Sequence, residues 1–199
     1  MSTAFATQPT AVRESGQRYT VAQYEELGQL GIITEDNSVE LLEGWIVPKT
    51  TKHPAHDNTI DLVHYLLAQL LPAGWFIRIQ NCVVTGDSVP EPDLAVVRGR
   101  PGDYGKRHPS AGDVALVIEV SDTTLQRDRA KAAIYARAGI AHYWIVNLVD
   151  SQIEVYSQPQ GSGFDAAYQT VATLAGQEIL RLTVDGRDAG TVEAGKLLS

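Results

Sequence analysis

Two acidic residues sit where a soluble chain seldom leaves a charge alone. Asp93 follows Pro92 and opens the apolar run Leu94-Ala-Val-Val-Arg98, while Glu119 lies near the end of a second run, Val114-Ala-Leu-Val-Ile-Glu-Val120. A charge on the buried face of a strand costs several kcal/mol unless it is paired or ligates a cation. The two acids lie 26 residues apart on segments that read as neighbouring strands. Twelve residues beyond Glu119 comes Lys131, within a helical stretch. Counting from it, the i+3, i+4 and i+7 positions are Ile134, Tyr135 and Ala138, so this lysine shares the inward face of its helix. Two acids and one amine therefore point toward one interior. Magnesium takes oxygen ligands of this kind, one or two carboxylates plus waters and substrate phosphate. Asp93 and Glu119 suit it, the carbonyl of Val120 could add an oxygen, and Lys131 could hold or polarise a water.

Four residues are accessory candidates. His56 continues the helical stripe Ile60, Val63, Leu67, Leu70 backward by one turn. Gln80 shares a strand face with Arg78, Glu40 lies between Val39 and Leu41-Leu42, and Ser121 shares the side of Glu119. Each has an ordinary alternative: a satisfied core histidine, a cross-strand pair, a solvated acid, a helix cap. For Lys131 the alternative is a stem that carries its amine out to solvent.

The elements that must position these groups follow from local pattern. Thr20 and Gln23 form a capping-box signature for a short helix to Leu27, with Gly28 as its terminator. Val39–Leu42 and Trp45–Val47 read as strands hinged at Gly44, Pro54–Leu71 as a helix, and Trp75–Val84 as an alternating strand. Leu94–Arg98 and Val114–Val120 are nearly all apolar, as expected of strands buried on both faces. Ser121-Asp-Thr-Thr124 supplies cap residues for the helix reaching Ala138, which Gly139 closes. Strands follow at His142–Leu148, Ile153–Ser157, Tyr168–Leu174 and Ile179–Val184. The order is that of a mixed α/β (α+β) fold with a β-rich end. Residues 1–18 read as a mobile tail and 19–199 as a single domain.

Composition narrows the function classes. At 199 residues and 44% apolar content the chain can bury a sizeable core. No apolar run reaches the ~18 residues needed to span a bilayer. The N-terminus lacks a basic head followed by an apolar block, which points to a cytoplasmic location. Cys82 is the only cysteine, excluding an internal disulfide and any multi-thiolate metal site. The net charge of −8 weighs against a polyanionic partner, but its distribution is uneven. Residues 19–47 hold six acids and no Lys or Arg, whereas residues 94–112 hold Arg98, Arg100, Lys106 and Arg107 against Asp103 alone. That basic loop is the candidate nucleic-acid contact.

The series Val39-Glu-Leu-Leu-Glu-Gly-Trp-Ile-Val47, His56, Gln80, Glu91-Pro-Asp93, Leu116-Val-Ile-Glu-Val-Ser121, Asp128, Lys131, Tyr135 and Gly139-Ile-Ala-His-Tyr-Trp-Ile-Val146 resembles the Uma-type restriction endonucleases, domain of unknown function 820. The likeness runs from about Thr20 to the C-terminus. It implies a branch of the PD-(D/E)XK nucleases: a restriction-endonuclease-like core with a central mixed β-sheet flanked by helices, and extra strands at both chain ends. It further implies Mg²⁺ (or Mn²⁺) as cofactor, DNA as partner, Asp93 as motif aspartate and Glu119 as motif acid. The superfamily pattern places a lysine two residues after the acid, where this chain has Ser121. By resemblance Lys131 takes over from the next helix. The expected activity is metal-dependent endonucleolytic cleavage of DNA, by a homodimer if both strands are cut symmetrically. The competing expectation is a catalytically silent module of the same fold that binds DNA or protein.

Overall fold

The computed structural model describes residues 17–50 and 53–198, so the expected tail lies, up to residue 16, outside the described residues. Helix α1 (Val21–Gln29) starts at the capping box Thr20/Gln23. It runs through Gly28 and ends on the left-handed Gly31 (φ 68°) instead, because only the later glycine adopts the conformation that stops a helix. Strands β1 (Val39–Leu42) and β2 (Trp45–Pro48) form an antiparallel hairpin, followed by α2 (Pro54–Ala68). The hairpin turn needs its glycine: Gly44 has φ 81°, and a Cβ there would stand 2.9 Å from the Arg18 Cβ.

A six-stranded sheet forms the centre, in the order β3 (Trp75–Ile79), β4 (Leu94–Arg98), β5 (Val114–Ser121), β6 (His142–Asn147), β7 (Gln152–Gln160), β8 (Ala167–Leu174). Strands β5 and β6 are parallel and are joined through helix α3 (Leu125–Arg137); the other neighbours are antiparallel. The strand expected over 75–84 stops at Ile79. Gln80 turns to φ 51° and its N–H bonds the Asp93 carbonyl (2.9 Å), leaving the ladder. A final hairpin, β9 (Ile179–Val184) with β10 (Arg187–Glu193), closes the chain; β10 has a bulge near Gly190 and no clear alternation to mark it in the sequence.

The sheet is mixed and covered on both faces, as expected of the fold class. Along β5, Leu116, Ile118 and Val120 face α2, packing with Ile60, Val63, Leu67 and with Leu180, Leu182 and Val184 of the last hairpin. Val117 faces the opposite side, toward Tyr135, Tyr143 and Ile145 under α3. The period of two then puts Glu119 and Ser121 on the α3 side. All eight residues of β5 are buried. No described helix is long and apolar enough to cross a membrane.

Candidate active site

Sheet register brings the two acids together. Leu94 pairs with Ile118, so Asp93, one step before β4, meets Glu119. The Asp93 N–H donates to Glu119 Oε2 (3.3 Å), and the Val120 N–H donates to Asp93 Oδ2 (2.9 Å). His56 reaches the same Oδ2 from the first turn of α2, with Nε2 at 3.2 Å. Asp93 Oδ1 takes no hydrogen bond among the described residues.

Helix α3 supplies the amine. Its buried positions include Asp128, Lys131, Ile134 and Tyr135, the stripe that periodicity predicts, continued backward by Asp128. Lys131 is 5% exposed, and its Nζ stands 3.0 Å from Glu119 Oε1 and 3.2 Å from Glu40 Oε1. The Tyr135 hydroxyl donates to the same Glu119 oxygen (3.0 Å). Ser121 is buried and donates to Asp128 Oδ2 (2.6 Å), which also receives the Thr124 hydroxyl. The expected helix cap is therefore not formed by side chains: both hydroxyls serve Asp128 instead.

These groups line a cleft of about 60 Å³, walled by Glu40, His56, Gln80, Asp93, Glu119, Val120, Arg127 and Lys131 among others. Of the accessory candidates, Glu40, His56 and Gln80 border the cleft, and Ser121 stands behind it. The sequence reading missed Arg127, Asp128 and Tyr135 as site residues. All three lie three or four positions from Lys131, and extending its stripe both ways would have found them.

The electrostatics are those of a crowded, partly compensated cluster. Burial pushes the Glu119 carboxyl up, to about 8; Lys131 opposes this, and Asp128, Asp93 and Glu40 reinforce it. Burial disfavours the Lys131 ammonium, yet the charges of Glu119, Glu40 and Asp128 outweigh it and hold the amine protonated. These two tendencies conflict, since a neutral Glu119 would not hold Lys131. Three donors converge on Glu119, so the geometry satisfies the carboxylate, and we take the ion pair as the resting form. His56 is raised to about 8: burial lowers it, and the hydrogen bond and charge of Asp93 raise it by more.

The donor set fits a hard cation. Asp93 Oδ1 is open, and the Glu119 Oε2 contact is long. The described residues contain no grouping of three or more His, Cys, Asp or Glu side chains suited to a metal. Two carboxylates and a backbone carbonyl are the oxygen donors that a hard divalent cation takes.

The basic loop lies elsewhere. Asp93 precedes β4 and Arg98 ends it, so the loop from Gly99 to Gly112 leaves the opposite end of the strand, roughly 17 Å away at ~3.3 Å per residue. Arg98 pairs with Asp185 (3.1 Å) and covers the Trp75 ring; Arg107 pairs with Asp113 (2.8 Å) and covers Tyr104. Arg100 and Lys106 are exposed, with no ion pair among the described residues.

Residues 21–188 match the family Uma2, described as "Putative restriction endonuclease". The chain belongs to that family. Among solved structures it is similar to a "putative nuclease belonging to DUF820" from Anabaena variabilis, with a TM-score of 0.68 at 13% identity, covering 90% of this chain and 97% of that one. At that identity the likeness concerns the fold alone. No curated protein matches.

Proposed function

We propose that this family member is a magnesium- or manganese-dependent endonuclease that hydrolyses DNA phosphodiester bonds, with residues 19–199 acting as one nuclease domain. The observation that carries the reading is the convergence of Asp93, Glu119 and Lys131 in one cleft, from a loop end, a strand and a helix. A cation held by Asp93, Glu119 and the Val120 carbonyl would supply Lewis-acid stabilisation of the charge that develops on the phosphoryl oxygens. The protein's own groups do the positioning. The Lys131 ammonium orients a water for in-line attack on phosphorus; the water oxygen forms the new P–O bond as the bond to the leaving deoxyribose oxygen breaks. The attacking water's proton passes to solvent, and the leaving oxygen takes one up. His56 and Val120 N–H hold Asp93 by Oδ2, which leaves Oδ1 directed to the cleft.

Arg100 and Lys106 are proposed to meet phosphates remote from the cut, with Arg98 and Arg107 contributing once released from Asp185 and Asp113. Symmetric cutting of a duplex would take two copies of the chain. The test is incubation with supercoiled plasmid and Mg²⁺ or Mn²⁺, with Asp93→Ala alongside. Nicking or linearisation that needs both the metal and Asp93 is the expected result; no cleavage with either metal sinks it. The silent-module reading draws on one observation, that both Glu119 oxygens and Lys131 are already engaged with protein groups. DNA binding without cleavage would favour it.

A further inference from the structure

We propose that Glu40, carried on the N-terminal hairpin and locked there by Arg127, is the positioning residue for Lys131; the proposal rests on the nuclease reading above. A lysine on the strand would be held by the sheet, whereas one delivered from α3 ends in a flexible four-carbon stem. Something must fix its amine. Glu119 does so at 3.0 Å, but it is also the acid assigned to the cation. Glu40 supplies a second anchor at 3.2 Å.

Glu40 differs from Glu119 in that two cations of α3, Lys131 and Arg127, share its Oε1, which favours an anchor over a ligand. Its Oε1 also receives Arg127 (2.6 Å), and its Oε2 receives the Glu91 N–H (3.2 Å), so both oxygens are committed to protein donors. Arg127 donates in addition to the Pro48 carbonyl (2.7 Å), which ties the two strands of the hairpin to α3. Glu40 is 2% exposed, and the four groups Glu40, Glu119, Lys131 and Arg127 balance in charge. A hairpin outside the central sheet thus fixes the amine that the sheet does not carry.

The test is a double-mutant cycle in the full chain, with Glu40→Gln, Lys131→Met and both together. If Glu40 acts through Lys131, Glu40→Gln lowers kcat about 10- to 100-fold, leaves KM for DNA and the Mg²⁺ half-saturation within about twofold, and adds nothing to Lys131→Met. Additive losses, or a raised Mg²⁺ requirement, would overturn the proposal and make Glu40 a ligand. Thermal melts check folding; should Glu40→Gln fail to fold, Glu40→Asp, which keeps the charge one methylene short of the amine, is read in the same cycle. Acylation of Lys131, followed by peptide mass mapping without metal, separates this idea from the nuclease reading. Were the wild type to cut nothing, the nuclease reading alone would fail. Faster labelling of Lys131 in Glu40→Gln, with Lys196 unchanged, would still support the anchoring, and unchanged labelling of Lys131 would refute it.

Discussion

The two ends of strands β4 and β5 carry charge in opposite ways. At the Asp93/Glu119 end the charged groups are buried, each within hydrogen-bonding distance of an opposite charge or a backbone N–H. At the Gly99–Gly112 end the cations are exposed, and two of them sit over aromatic rings and pair with surface acids. Burial makes each charge at the first end depend on its partner, since a buried charge left alone costs far more than an exposed one. Solvent screening makes the charges at the second end nearly independent in energy and free to meet a polyanion. On the proposed function, the first end carries out the chemistry and the second meets the polyanion.

The comparison breaks most visibly at Lys131. Lys131→Met leaves Glu119 and Glu40 without their shared cation, and should cost about 3–5 kcal/mol in urea denaturation while lowering kcat at least as far as Glu40→Gln does. Mg²⁺ should restore part of that loss. A variant as stable as wild type would show that the buried end is not the interdependent cluster described here.

Next in size is metal linkage. Wild-type protein at 100-fold the dissociation constant of Mg²⁺ should gain about 2.7 kcal/mol, seen as a higher melting temperature. Asp93→Ala should gain nothing. Equal gains in both proteins would move the ion away from this cleft.

The exposed end should respond to salt. Replacing Arg100 and Lys106 with Ser should reduce the slope of log affinity against log salt by about 2, measured by fluorescence anisotropy across a sodium chloride series. Replacing Arg98 and Arg107 should reduce it less, because each must first leave its acid partner. The reverse ranking would mean that the internal pairs are the DNA-contacting ones.

The smallest effect is on stability at this same end. Arg107→Ser should change unfolding free energy only slightly, because solvent screens an exposed ion pair. The hydrogen bond from Arg107, helped by Ser110, holds the Asp113 carboxyl down at about 2. A depressed acid stabilises above its unfolded value and loses that contribution as pH falls, so the Arg107→Ser difference should be constant above pH 4 and vanish on acidification toward pH 2. A difference that grows on acidification would contradict the pairing.

By itself the sequence determined what short-range period can express. Alternation in Val114–Val120 placed Glu119 opposite Val120, and the stripe through Ile134 and Tyr135 turned Lys131 inward, because side-chain direction follows from two and 3.6 residues per repeat. The apolar runs also marked β4 and β5 as central strands, and Thr20 with Gln23 marked the start of α1. Periodicity could not show that Gln80 leaves the β3 ladder through a positive φ, or that Ser121 and Thr124 turn from the helix end to Asp128. It was silent on partners far along the chain. Arg127 meets Glu40 across 87 positions and His56 meets Asp93 across 37, and no local pattern encodes such pairs. Only the tertiary structure decided them, and with them which of several inward-facing charges share one cleft, because that choice depends on sheet register and on how α2, α3 and the hairpin close over the ends of the strands.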